Sequence, residues 1–517
     1  MGIATGRIVS TYTVFNHIVD EPGHIACGME WLDKGVYRWE AQHPPLARVA
    51  MALGPYLAGI RSQGTPNVDQ GATLREGLDI LYHGHQYDRN LALARMGVLP
   101  FFWIACLVVY WWGCRHFTPA VGVIAVFLFT FIPPILAHAG VATTDMALTA
   151  FLAAAFVAGL AWVERPTLAR AACFGAAAGL MFLSKFSCVA FFPATVVLAL
   201  AGYFVVRRPG ISGAFRAAQE RVPTLGLAVL VGLMVVWAGY RFSFGKVPFA
   251  SFSLPFPEVY AGLREVLDHA AKGHKGYLLG ETRETGFWNF YLVGIGVKSP
   301  LAFLALLGVG LVQVFRKSTL SRNLWLPLAF SCGTLLVGIF STINIGIRHI
   351  LPVYVGFSLL AAVAAVRMLE WGQTRKWMWG LLGLLVSWMA LSSLVSHPDY
   401  IPYFNELAGS HPENILVDSD LDWGQDMKRL STRLHQLGAT SVAYMGFVHA
   451  DVETQHGFPP LRHLNRFHPV DGWNAIGVTL WKEYRDVLWP DMIQPQERVG
   501  KSMFLWYFPP ATGQPPR

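Results

Sequence analysis

The chain has 517 residues, of which 54% are hydrophobic and only 14% charged, with 18 Trp and a mean hydropathy of +0.41, which excludes an ordinary soluble domain. The net charge of +8 is carried by basic residues standing singly or in short groups between apolar runs, the distribution of membrane topology signals and not of a nucleic-acid surface. The cysteines Cys27, Cys106, Cys114, Cys173, Cys188 and Cys332 include no CxxC pair and lie mostly in apolar runs, so neither a disulfide frame nor a zinc site is indicated.

The stretch from Met1 to Val19 contains Arg7, Asn16 and His17 and lacks a long apolar core, so it reads neither as a signal peptide nor as a span. Asp20 and Glu21 follow, then His24 and the run Gln42-His43-Pro44-Pro45-Leu46. Two consecutive prolines fix φ and hold His43 in extended backbone ahead of an amphipathic segment, Leu46 to Ile60, too short to span and expected to lie along the interface. His43 reads either as a site residue or as a polar residue at a helix start.

Ten spans are predicted at roughly 90–112, 119–137, 143–163, 168–184, 187–206, 222–240, 293–315, 324–341, 350–366 and 376–395. Every second connection is basic: Arg115; Arg165 and Arg170; Arg207, Arg208, Arg216 and Arg221; Arg316, Lys317 and Arg322; Arg367, Arg375 and Lys376. The positive-inside rule makes this set cytoplasmic and places residues 1–89, the 241–292 loop and the tail from about 397 outside. For residues 1–89 to be outside, a transmembrane helix should precede them, so the expectation is that a first helix is missing from the chain as read, through a start codon called too late.

Charges in hydrocarbon are costly and usually functional. The span centres are almost free of them; they gather at outer ends. Asp145 opens the third span after Thr143-Thr144, Lys185 closes the fourth, Lys298 starts the seventh and Arg348-His349 precede the ninth. With Asp20, Glu21, His24 and His43, acids and bases are expected to converge just outside the membrane. A lone Lys185 reads equally as a snorkelling anchor; an aspartate directly on an apolar run does not.

A sugar on a polyprenyl phosphate keeps its tail in the bilayer and its anomeric carbon at this depth. Its transfer to a hydroxyl needs one carboxylate as general base and cations for the departing phosphate. No general acid is needed, because phosphate leaves as a stable anion, unlike the alkoxide a glycosidase must protonate. A second carboxylate could orient the first, hydrogen-bond the sugar or hold a divalent cation; no other cofactor is indicated.

The 241–292 loop carries His269, Lys272, His274, Lys275, Glu281, Arg283 and Glu284. It could cover the site or recognise the acceptor, though a solvated loop is the default reading. The tail reads as a strand at Ile415-Leu416-Val417, the acid-rich run Asp418 to Asp426, a helix from Met427 to Leu437 and a strand from Ser441 to Phe447, hence a small α/β domain. Trp423 and Arg429 stand where a calcium loop needs Gly and Glu, so the aspartates are expected at a strand end and a helix N-cap. Three regions result: an outer loop with interfacial helices (1–89), a transmembrane part (90–396) and the tail domain (397–517).

Six segments, Asp20-Glu21-Pro22-Gly23-His24, Gln42-His43-Pro44-Pro45-Leu46-Ala47, Thr143-Thr144-Asp145-Met146-Ala147-Leu148, Leu183-Ser184-Lys185-Phe186-Ser187, Val297-Lys298-Ser299-Pro300-Leu301 and Asn344-Ile345-Gly346-Ile347-Arg348-His349, occur in that order. In them the chain resembles GT-C type, lipid-phosphate-sugar-dependent glycosyltransferases, the branch of dolichyl-phosphate-mannose protein mannosyltransferases and bacterial aminoarabinose transferases. The resemblance implies an α-helical polytopic GT-C-like fold in the bacterial inner membrane and an inverting transferase with a protein or glycolipid acceptor. It implies Asp20 as catalytic base or its close partner, Glu21 as able to exchange roles with it, Asp145 as a second acid, and Lys185, Lys298, Arg348 and His349 around the donor phosphate. His24 and His43 would line the loop or acceptor side. The residue before His-Pro-Pro is commonly acidic in such proteins and is Gln42 here. A transporter or flippase of lipid-linked glycan is the rival class; transporters carry ionisable or broken-helix sites near the midplane and paired halves.

Overall fold

The computed structural model describes residues 1–66, 71–247, 249–316, 323–484, 489 and 493–510; Lys317 and Arg322 of the fourth basic connection lie outside them. The first region is helical: α1 (Gly2–Val9), α2 (Glu21–Asp33), α3 (Pro45–Leu57) and α4 (Ala72–Tyr82). The amphipathic segment after the proline pair is α3, which runs through Gly54-Pro55 to Leu57.

The membrane part begins with α5 (Tyr87–Met96) and α6 (Leu99–His116), which together form one span of 30 residues. There follow α7 (Pro119–Thr130), α8 (Pro133–Ala139), α9 (Asp145–Glu164), α10 (Leu168–Ser184), α11 (Cys188–Arg207), the short α12 (Ile211–Gln219) and α13 (Val222–Gly239). Beyond the 241–292 loop come α15 (Phe290–Lys298), α16 (Leu301–Val314), α17 (Trp325–Ile339), α18 (Val353–Gly372) and α19 (Trp377–Val395), α14 (Pro257–Lys272) belonging to the loop itself. Among the described residues, six helices are long and apolar enough to cross a membrane, or up to eight if each of two bent pairs is one span. The helices α10 and α17 are apolar but shorter.

The two bends fall at proline, which removes a backbone donor and clashes with the preceding turn. The predicted second span breaks by 71° before Pro133-Pro134, and the seventh by 117° at Ser299-Pro300. This corrects the position of Lys298: it ends a short helix at a sharp corner and does not start a span. Helices α9 and α18 are the most enclosed, whereas α11, α13 and α19 expose most of their apolar surface, as lipid-facing helices do. The α10–α13 pair is held close by small residues: a side chain at Gly175 would collide with the Ala228 carbonyl.

The 241–292 loop forms two antiparallel hairpins, β1 (Phe244–Lys246) with β2 (Ser253–Pro255) and β3 (Gly276–Leu278) with β4 (Glu281–Arg283). The tail builds a five-stranded sheet from β5 (Val442–Met445), β6 (Leu461–Arg462), β7 (Gly472–Gly477), β8 (Glu497–Val499) and β9 (Met503–Phe508), in the order β6-β5-β7-β9-β8. Strands β6, β5 and β7 run parallel, and β9 is antiparallel to both β7 and β8. Alternation along the strands divides two cores: Val442, Ala475 and Leu505 pack with Leu430 and Leu434 of α20 (Met427–Gln436), while Ala443, Ile476 and Trp506 face a cluster with Trp489. Short helices α21 (Val452–His456) and α22 (Val478–Glu483) complete it.

Helix α20 and strand β5 stand where the tail's periodicity places them. The strand expected at Ile415-Leu416-Val417 is absent. Those residues lie between two single 3-10 turns, Pro412–Asn414 and Asp418–Asp420, where Leu416 packs into the helical core and Val417 into that of the tail sheet while Ile415 is half-buried. The aspartates of this run are therefore not at a strand end.

Candidate active site

Four elements bring the charged residues together. Asp20 precedes the first residue of α2, Asp145 opens α9, where the helix N-terminus favours a carboxylate, Lys185 is the residue at which α10 ends, and Arg348 sits in a single 3-10 turn, Ile347–Ile350, ahead of α18. One nitrogen, Nη1 of Arg348, lies 3.1 Å from Asp20 Oδ2 and 3.5 Å from Asp145 Oδ2. Lys185 Nζ donates to the other Asp145 oxygen at 2.6 Å. Two acids and two cations from segments more than 300 residues apart thus form one connected cluster.

The two aspartates are not equivalent. The Asp145 side chain is wholly enclosed, whereas that of Asp20 is 29% exposed. Burial pushes the Asp20 carboxyl above its ordinary range against the pull of Arg348, which makes it a better proton acceptor. Burial, with Lys185 and Arg348 alongside, holds His349 well below the usual imidazole range, and its Nε2 is buried with no hydrogen-bond partner.

His24 lies one turn into α2. Its Nδ1 accepts from Arg48 Nε at 3.0 Å, and its ring meets His43 edge to face at 5.3 Å. Arg48 is fully buried and also binds Glu40 Oε2 at 2.7 Å and the Tyr37 hydroxyl at 3.0 Å. Burial and this guanidinium hold both imidazoles well below their usual range. Gln42 turns outward to His269 Nδ1 at 3.3 Å.

Two sequence-selected residues stand apart. Glu21, despite following Asp20, is fully buried and gripped bidentately by Arg95, with both contacts at 2.8 Å. It also accepts the Ala142 and Ile18 amides, and although burial alone would raise it, these partners hold its carboxyl below the ordinary range. Successive residues on a helix point about 100° apart, so the pair diverges. Lys298 is equally spent: its ammonium binds the carbonyls of Ile401 at 2.7 Å and Asp420 at 2.5 Å, over the ring of Phe404. Neither is free to meet a substrate in this arrangement.

The tail supplies residues that sequence reasoning missed. Ser419 Oγ accepts from Arg348 Nε at 3.2 Å, and the guanidinium lies 4.2 Å from the Trp423 ring centroid. The dense run Asp418-Ser419-Asp420-Leu421-Asp422-Trp423 was the available signal; its reading as caps concealed the site. For Arg48 the signal was a lone arginine in the apolar run of α3. Among the described residues no group of three or more His, Cys, Asp and Glu could hold a metal ion, and the position between Asp20 and Asp145 is filled by Arg348.

An apolar groove runs between α10 and α13, lined by Phe174, Gly175, Gly179, Phe182, Leu233 and Phe256. Its wall ends three residues short of Lys185. The loop's second hairpin leans on the tail, Leu279 N donating to Ile415 O at 3.0 Å, and Phe287 N binds Asn344 Oδ1 at 2.5 Å just before the Arg348 turn.

No protein-family model matches the chain, and no curated protein matches it by sequence. Among solved structures it is similar to ArnT from Cupriavidus metallidurans bound to undecaprenyl phosphate, with a TM-score of 0.53 at 12% identity over 98% of this chain and 96% of that one. ArnT from the same organism in the apo state gives 0.52 at 13% identity with the same coverage. Over nearly its whole length, the chain shares the fold of these ArnT structures.

Proposed function

We propose that this protein is an inverting glycosyltransferase that moves a sugar from a polyprenyl-phosphate donor to an acceptor hydroxyl on a protein or glycolipid at the outer face of the bacterial inner membrane. The observation that carries the reading is Arg348 standing between Asp20 and Asp145, with Lys185 on Asp145's far side. One carboxylate is open, one is enclosed, and both cations are close enough to share with a phosphate.

Asp20, the more exposed acid, takes the acceptor proton. The acceptor oxygen attacks the anomeric carbon as the bond to phosphate breaks, and the electron pair leaves on the phosphate, where Arg348 and Lys185 meet its charge. Asp145 holds those two cations in place. A single displacement with one base inverts the anomeric centre. The groove beside α10 has the apolar lining that a polyprenyl chain would use, and Lys185 ends the same helix. The undecaprenyl phosphate bound to the like-folded ArnT supports a donor of this class. The basic loops support an outward-facing first loop and tail domain.

Proteoliposomes supplied with labelled polyprenyl-phosphate sugars and a membrane acceptor fraction test the reading. Label should appear in a product of inverted anomeric configuration. Failure of every such donor to release polyprenyl phosphate, or movement of intact donor between leaflets without transfer, would overturn it.

A further inference from the structure

The run Asp418–Met427 touches both the segment that leads into Asp20 and the turn that carries Arg348. Asp420 accepts Ile347 N with both carboxylate oxygens, at 3.1 and 3.3 Å, and Ser419 Oγ donates to the Ile345 carbonyl while accepting from Arg348. Gly346, at φ +145°, is required there, because a Cβ would collide with Ser419 Oγ. On the other side, Val19 N donates to the Trp423 carbonyl at 3.3 Å, Asn16 Nδ2 to the Gly424 carbonyl at 2.6 Å, and Met427 N to Asn16 Oδ1 at 2.8 Å. Between these anchors the Trp423 ring lies against the Arg348 guanidinium and meets the His138 ring edge to face, with centroids 5.9 Å apart.

We propose that Trp423 and Ser419 are positioning residues: the tail run is a gauge that sets where the Arg348 guanidinium stands relative to Asp20, by fastening the Asn16–Asp20 segment and the Ile345–Arg348 turn to one rigid piece of backbone. An arginine has five donors and long, soft torsions; with only Asp20 and Asp145 to satisfy it, several placements would serve. The indole face fixes the plane of the guanidinium and the Ser419 hydroxyl takes Nε, which leaves Nη1 as the nitrogen that spans the two acids. The buried hydrogen bonds around the gauge explain why so many aspartates crowd one run: Asp422 caps Gly424 N and Thr479 N, and Asp426 holds Lys501 N, Ser502 N and Arg429, so the loop itself cannot shift.

The inference rests on the site as read under the proposed function, but its test does not need transfer activity. In the full-length protein in lipid nanodiscs, carbodiimide labelling of Asp20 across a pH series, read by mass spectrometry, reports when that carboxyl protonates. Trp423→Ala and Ser419→Ala should each raise the labelling midpoint by about one pH unit, the size of a neighbouring guanidinium's influence, and Trp423→Phe should restore most of it. Trp162→Ala, which removes the stacking on Phe174 at the opposite end of α9 from Asp145, should lower thermal stability and leave the midpoint unmoved. Equal midpoints in wild type, Trp423→Ala and Ser419→Ala, or an equal shift in Trp162→Ala, would overturn the gauge. A midpoint shift in a protein that transfers no sugar would keep the gauge and sink only the assigned reaction.

Discussion

Asp20 and Glu21 are neighbours in the chain and face opposite surroundings: Asp20 reaches Arg348 at 3.1 Å with part of its side chain open, while Glu21 is sealed around Arg95 at 2.8 Å. Exchange of amides at the two positions should therefore give opposite phenotypes. Asp20→Asn should fold normally and lose about 10²- to 10⁴-fold in transfer rate, the worth of a general base. Glu21→Gln leaves a buried guanidinium without its counter-charge and should cost about 3–5 kcal/mol of stability. Thermal unfolding and turnover measured on both variants separate them.

Arg348→Lys should fail although it keeps the charge. A lysine has one nitrogen and cannot lie flat on Trp423, bind Ser419 and span two carboxylates together. Transfer should fall about 10²-fold, with little change in unfolding temperature; near-normal kcat in this variant would remove the guanidinium's geometry from the account.

Lys298 was expected beside the donor phosphate and is instead bound to two backbone carbonyls. Lys298→Ala should lower stability by about 1–3 kcal/mol through those unsatisfied groups. The donor KM of the protein that survives should stay within about twofold, and a large rise in KM at unchanged stability would return Lys298 to the phosphate site.

Burial pushes the Asp422 carboxyl from 3.8 up to about 7 in the tail domain. The folded state therefore holds a proton that the unfolded chain releases. The stabilisation is fully present below the unfolded value near 3.8 and is lost as pH rises through about 7. Burial moves Glu483 to about 7 as well, in the same sense. Unfolding temperature should fall as pH rises from about 5 to about 7 and level off above that, and Asp422→Asn should flatten the decline.

The helical part of the fold was legible because hydropathy alone specifies it: each predicted run is an apolar helix or a bent pair. The bends were not legible, although both fall at proline, because Pro193 and Pro55 stand inside α11 and α3 without ending either helix. The charged cluster was legible where a charge interrupts a span end, which is why Asp145, Lys185 and Arg348 stood out as candidates. It was not legible at Glu21, where adjacency to Asp20 says nothing about which way each side chain leaves the backbone. Nor was it legible at Ser419 and Trp423, whose partner Arg348 lies more than 70 residues away in sequence. The Ile415-Leu416-Val417 run shows a third limit, since three consecutive apolar residues look like a strand whether or not a pairing edge exists.

The central claim is that Asp20 does the proton transfer while Asp145 holds the cations. Single-turnover transfer from a bound, labelled polyprenyl-phosphate sugar in proteoliposomes tests it most directly. Asp20→Asn should bind donor as tightly as wild type and fail to turn it over, whereas Asp145→Asn should weaken donor binding as well as turnover. Unchanged transfer in Asp20→Asn would contradict the account.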